Sequence, residues 1–210
     1  GIKRRHIAAP GENTTDLAFN ATQKALTAAQ MTANDIDVII FATVSTDQVM
    51  PSSAAVLQSK LGCRNIMAFD LSAACSGFIY GLATADQFIR TGFAKTVLVI
   101  GAEVLSRIVN YKDRNTCVLF GDGAAAAVIS NRGSGFFIQE VCLGADGEVA
   151  ELIMVPAGGC RKPASLQTVQ NNEHYILMEG KEVFKHAVRR MEAAAKECLA
   201  KAKMSEDAID

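Results

Sequence analysis

The sequence predicts an α/β fold built on a mostly parallel sheet. Three observations carry this. Short apolar, β-branched runs alternate with helical patterns. The runs at 37–42 and 95–100 are apolar throughout, as strands buried on both faces are. Glycine and proline stand at the ends of the helical stretches.

The first helix is expected over 16–30, with Thr14 or Thr15 as N-cap and Leu17, Ala21, Ala25 and Ala29 along one face. The run 37–42 (Asp-Val-Ile-Ile-Phe-Ala) follows as a buried strand. A helix over 52–61 starts after Pro51 and stops at Gly62. Residues 66–70 form a second strand, 76–91 a helix closed by Gly92, and 95–100 a third strand. Further strands are expected at 124–130, 135–143 and 151–155, separated by Gly-rich turns. The stretch 156–174, with Gly158-Gly159, Pro163 and Asn171-Asn172, reads as a loop and linker. The longest helix spans 181–203, with Val183, Phe184, Ala187, Val188, Met191, Ala195, Cys198, Leu199 and Ala202 at steps of three and four.

Composition excludes several classes. The 210 residues include 21 basic and 22 acidic side chains, a formal net charge of −1, so the basic excess of a nucleic-acid binder is missing. Half of the residues are apolar, too many for a disordered chain. No apolar run reaches the ~18 residues of a membrane span, and no apolar segment follows Lys3-Arg4-Arg5 as in a signal peptide. The six cysteines form no C-x-x-C pair, so no metal site is expected; most lie in apolar stretches, as reduced thiols of a cytoplasmic protein do.

The segment Phe69-Asp70-Leu71-Ser72-Ala73-Ala74-Cys75-Ser76-Gly77-Phe78 carries the sharpest chemistry. A strand ends, small residues follow, and Cys75 stands where a helix begins. A helix N-terminus favours a thiolate there, small neighbours leave room for a substrate carbonyl, and a backbone N–H of the turn can face an oxyanion. Gly121-Asp122-Gly123-Ala124-Ala125-Ala126 fits a loose dinucleotide-binding pattern. The Asn131-Arg132-Gly133 turn follows too soon for a crossover helix, and that reading is set aside.

Asp70-Leu71-Ser72-Ala73-Ala74-Cys75-Ser76-Gly77 closely resembles the nucleophile segment of β-ketoacyl-acyl carrier protein synthase III, a thiolase-fold condensing enzyme. Residues 1–8, Met50-Pro51-Ser52, Asp113-Arg114-Asn115-Thr116, Phe120-Gly121-Asp122-Gly123-Ala124 and Met178-Glu179-Gly180-Lys181-Glu182-Val183-Phe184-Lys185 resemble further family segments, in family order. The resemblance implies a thiolase-like fold of mostly parallel five-stranded sheets sandwiched by helices. Residues 1–155 would form the first half, 156–174 the linker and 175–210 the start of the second half. It implies that Cys75 takes an acyl group from acetyl-CoA or another short acyl-CoA and passes it to malonyl-acyl carrier protein, with no cofactor beyond the acyl-CoA substrate. Met50 would close the acyl pocket from the partner subunit of a homodimer, where the family often has Phe, and Phe120 would line the same pocket. Arg114 would hold the adenine and phosphate end of CoA, and Met178 and Gly180 would lie on the substrate side. Lys185, with Lys181 and Arg189, would dock the acidic carrier protein. The strand at 66–70 would pair across the two-fold axis.

The family's triad adds a His and an Asn in a His-Gln-Ala-Asn-like segment, and neither His6, His174 nor His186 sits in one. The resemblance therefore implies a longer polypeptide, these residues alone at best acylating Cys75 and not condensing. Other readings are a polyketide- or quinolone-type starter synthase and a non-catalytic synthase-like subunit, the latter expected to lack Cys75.

Overall fold

The structure is a computed structural model that describes residues 2–209. The described chain forms two compact units, Arg4–Ser106 with Gly121–Phe136, and Ile2, Lys3 and Arg107–Phe120 with the chain from Phe137 onward. This division differs from the expected break at 156–174, because the 107–120 segment groups with the later part of the chain.

In the first unit, strands β1 (Val38–Ala42), β2 (Met67–Leu71), β3 (Thr96–Val104) and β4 (Asp122–Ser130) form one sheet of order β2-β1-β3-β4. β1 runs parallel to both β2 and β3, whereas β4 is antiparallel to β3. Side chains alternate between two cores. Ile39 and Phe41 of β1 with Leu98, Ile100 and Ala102 of β3 meet Ala18 and Leu26 of helix α1 (Thr14–Ala29) and Ala54 and Leu57 of α2 (Ser53–Leu61). On the other face, Val38, Ile40, Val97 and Val99 meet Ala85 of α3 (Gly77–Arg90). Every residue of β1 is buried, which is why its sequence shows no polar alternation. Each such large side chain contributes roughly 1.5–3 kcal/mol by leaving water.

Helix α3 approaches the sheet closely because its inner face is a stripe of Gly77, Gly81 and Ala85, all buried. A Cβ on Gly77 would lie 3.1 Å from Ala42 Cβ, and one on Gly81 would lie 2.8 Å from Val99 Cγ1.

Several boundaries differ from expectation. Helix α1 is capped by Asn13, whose N–H donates to Asp16 Oδ2 at 2.8 Å. Thr14 and Thr15 lie inside the helix because their hydroxyls are taken by the loop after β1: Thr14 Oγ1 donates to the Ser45 carbonyl at 2.6 Å, and Thr15 Oγ1 donates to Asp47. Ser52 caps α2, accepting from Ala55 N at 3.2 Å, and Gly62 ends it in the left-handed region at φ 68°. A turn of 3₁₀ helix, Ala74–Ser76, precedes α3. Strand β3 runs on to Val104 because β4 pairs with it along its whole length. Among the described residues this sheet has four strands. The stretch 135–143 forms no strand: β-forming residues need a neighbouring ladder, none pairs with it among the described residues, and Phe137 is 87% exposed.

The second unit holds a two-stranded ribbon, β5 (Ile153–Met154) with β6 (Leu177–Met178), shorter than the strand expected at 151–155. The expected loop at 156–174 contains a short helix, α4 (Leu166–Gln170), capped by Ser165. Helix α5 (Gly180–Ala202) has no fully buried residue, and Phe184 and Met191 on its apolar side stand 69% and 72% exposed.

Candidate active site

The carboxyl ends of the parallel strands share one edge of the sheet, since Ala42 of β1 lies opposite Leu71 of β2 and Gly101 of β3. Ligands of open α/β sheets bind outside such an edge. Cys75 lies there, in the 3₁₀ turn between β2 and the N-terminus of α3. The turn is tight: Ser76 N donates to the Ala73 carbonyl at 3.1 Å, and Ala74 adopts a left-handed φ of 44°. Cys75 is exposed, whereas Cys63, Cys117, Cys142 and Cys198 are partly buried. Burial pushes the Cys63 thiol above its ordinary range, against the nearby Arg64 charge. Burial, and then a hydrogen bond with Cys198, push Cys142 up as well. Cys75 and Cys160 are the exposed cysteines.

Carboxylates fix the loops along this edge by accepting hydrogen bonds from backbone N–H groups. Asp70, at the end of β2, accepts from Ser53 N and Ala54 N, both at 2.7 Å, at the N-terminus of α2. Glu103 of β3 accepts from Val44 N at 2.9 Å, from Thr43 Oγ1 at 3.2 Å and from Ser45 Oγ. Asp122 of β4 accepts from Ala8 N at 2.7 Å, Ser106 N at 2.8 Å and Ser106 Oγ at 2.6 Å. Asp47 accepts from Thr15 N at 3.1 Å. Sequence reasoning assigned none of these clamps. The signal that could have found them is a carboxylate inside an apolar strand, as at Asp70 and Glu103, because a part-buried charge needs donors.

Met50 lies between these clamps, on the loop from β1 to α2, and is 81% exposed beside Val49 at 93%. Cys75 and Met50 thus occupy loops at the same edge of the first unit.

The remaining candidates belong to the second unit. Arg114 is exposed in a turn organised by Asp113, which accepts from Asn115 N at 3.0 Å and from Thr116 Oγ1 at 3.1 Å. Phe120 is half-buried at the end of that segment. Met178 pairs with Ile153 in the ribbon, and Gly180 opens α5. Lys181, Lys185 and Arg189 recur every four residues on α5 and are all exposed. Lys185 donates to Glu182 Oε1 at 2.6 Å, and this bond, followed by the Lys185 charge, holds the Glu182 carboxyl below its usual range. His6 holds the start of β4 through its carbonyl, which accepts from Asp122 N at 2.8 Å. His174 Nε2 lies 2.9 Å from Thr168 Oγ1. Among the described residues no group of His, Cys, Asp or Glu side chains is placed to hold a metal ion, and no helix is long and apolar enough to cross a membrane.

The family model of 3-oxoacyl-[acyl-carrier-protein] synthase III matches residues 69–147, a stretch that includes Cys75 and its turn. By sequence and by fold, the chain resembles β-ketoacyl-acyl carrier protein synthase III along its whole length. It is 53% identical over 210 residues to the β-ketoacyl-[acyl-carrier-protein] synthase III of Caldanaerobacter subterraneus, covering all of this chain and 63% of that protein. The crystal structure of 3-oxoacyl-[acyl-carrier-protein] synthase III from Aquifex aeolicus superposes with a TM-score of 0.88 at 42% identity, covering all of this chain and 63% of that one. A priming β-ketosynthase from the R1128 polyketide biosynthetic pathway superposes at 0.83 with 30% identity, covering 98% of this chain and 60% of that one. The chain thus spans about 63% of the length of the curated synthase III relatives it matches. The thiolase-like synthase III fold expected from the motifs is the fold of these neighbours.

Proposed function

We propose that this chain supplies the nucleophile of a β-ketoacyl-acyl carrier protein synthase III, which starts fatty-acid chains in the cytoplasm. The observation that carries the reading is Cys75: exposed, in a tight turn, at the carboxyl edge of the sheet and the start of α3. Its thiolate attacks the thioester carbon of acetyl-CoA or another short acyl-CoA. A carbon–sulfur bond to Cys75 forms, and CoA leaves as its thiolate. A backbone N–H of the turn stabilises the oxyanion of that step. Malonyl-acyl carrier protein then loses CO₂, and the resulting carbanion attacks the acyl-Cys75 carbonyl. The 3-oxoacyl carrier protein departs and Cys75 is regenerated.

The other residues take supporting roles in this reading. Met50 and Phe120 bound the acyl chain, and Arg114 pairs with the phosphate end of CoA. Met178 and Gly180 lie along the substrate path. Lys181 and Arg189, with Lys185, attract the acidic carrier protein. The protein is a homodimer in this reading, and what supports it is β2, an edge strand with an unpaired side available to a second copy.

Intact-protein mass spectrometry of the complete natural polypeptide after incubation with acetyl-CoA tests the proposal. A gain of about 42 Da that is absent from Cys75→Ala is expected. No gain with acetyl-CoA or any other short acyl-CoA would remove the synthase reading.

A further inference from the structure

The loop that carries Met50 is pinned at both ends and free in the middle. On its β1 side, Ser45 and Asp47 hold it to α1, and Glu103 holds Thr43, Val44 and Ser45. On its α2 side, the only side chain among the described residues from outside the loop and helix that accepts from the first turn is Asp70, through Ser53 N and Ala54 N. Between these anchors, Val49 and Met50 project two exposed apolar side chains at the edge that carries Cys75. Asp70 lies on β2, the strand whose end becomes the Cys75 turn.

One carboxylate therefore joins the apolar loop to the strand that leads into the nucleophile. The join is strong for its size. Both bonds are charge-assisted, and the carboxylate faces the positive end of the α2 dipole.

We propose that Asp70 is a positioning residue for acyl-chain selectivity, setting where Val49 and Met50 stand at the carboxyl edge of the sheet. It acts through the backbone of α2 and touches no substrate. This rests on the acyl-transfer reading of Cys75. Without Asp70 the strand and its turn persist, because the β1–β2 ladder holds them, whereas the loop loses its anchor on the α2 side. Selectivity among acyl chains then weakens more than the reactivity of the thiol.

The test uses the complete natural polypeptide and compares wild type with Asp70→Asn. The ratio of kcat/KM for acetyl-CoA to that for hexanoyl-CoA should move toward one by about fivefold, the effect of a lost hydrogen bond. Hydrogen exchange at the Ser53 and Ala54 amides should speed up, while alkylation of Cys75 by iodoacetamide should stay within about twofold. Ser53→Pro is a second route to the same loss. It deletes one donor at the first helical position, where proline is tolerated. Ser52 already has the extended conformation that precedes proline, φ −61° and ψ 147°, and the Ser53 hydroxyl has no partner to lose. An unchanged acyl-CoA ratio in both variants, with the protein still acylated, would overturn the positioning role alone. A wild-type protein that no acyl-CoA acylates would overturn the underlying reading as well.

Discussion

Gly81 offers a direct test of how α3 is held against the sheet. A Cβ added there would sit 2.8 Å from Val99 Cγ1 and 3.7 Å from Ile40 Cγ2. Carbon atoms pack best at about 3.5–4.0 Å, so an alanine requires α3 or Val99 to move by roughly 1 Å. Both contacts lie in the core between α3 and the sheet, where Val99 and Ile40 are fully buried. Overpacking of this kind costs about 1–3 kcal/mol, and replacing glycine within a helix returns up to about 1 kcal/mol. Gly81→Ala should therefore lose about 1–2 kcal/mol. Gly81→Val, with two further methyl groups, should lose more. At this chain length each kcal/mol lowers Tm by roughly 2–4 °C. Gly180→Ala is the control: its Cβ would meet only Met178 Cε at 3.5 Å, so its stability should stay within about 0.5 kcal/mol of wild type. The assay is thermal unfolding followed by circular dichroism. A Gly81→Val protein as stable as wild type would refute the close approach of α3. The functional readout is the rate of Cys75 acylation expected of the proposed function, because the same helix begins beside Cys75, and a misplacement of about 1 Å can cost 10²-fold.

Alkylation of the folded protein at neutral pH should modify Cys75 and Cys160 first and Cys63 and Cys142 last, because burial keeps the latter two protonated; peptide mapping that finds Cys142 modified early would contradict this. Asp37 should contribute acid-sensitive stability. Burial raises its pKa, but donation from Lys95 N, Thr96 N and Arg64 outweighs this and leaves it below the ordinary 3.8. The contribution is present above about pH 4 and is lost as pH falls through the lowered folded value. Acid titration of Asp37→Asn should accordingly show a flatter decline below pH 4 than wild type, and parallel curves would refute the assignment.

The cores of the first unit were legible because apolar strands and helix stops are local signals. β1 and β3 read as buried runs, and Gly62 and Gly92 marked helix ends. The Cys75 turn was legible for the same reason, since strand, small residues, cysteine and helix follow one another in the chain. What stayed hidden depends on partners far away in sequence. The cap of α1 shifted to Asn13 because Thr14 and Thr15 are occupied by a loop some thirty residues on. Asp70, Glu103 and Asp122 became clamps only once folding had brought distant N–H groups to them. The stretch 135–143 has strand-forming composition, but composition does not supply a neighbouring ladder. Ion pairing within α5 was a local signal that sequence reasoning overlooked: Glu182 stands three residues before Lys185 and takes up its charge.

Ala74 gives the nucleophile turn a particular backbone conformation. Its left-handed φ of 44° is one that glycine adopts without cost and alanine does not. The chain thus keeps a methyl group next to the exposed Cys75 thiol at a stability penalty of about 1–2 kcal/mol. Glycine there would relax the turn and give the backbone around Cys75 more conformations. The residue before Cys75 therefore holds a strained backbone in place at the start of α3.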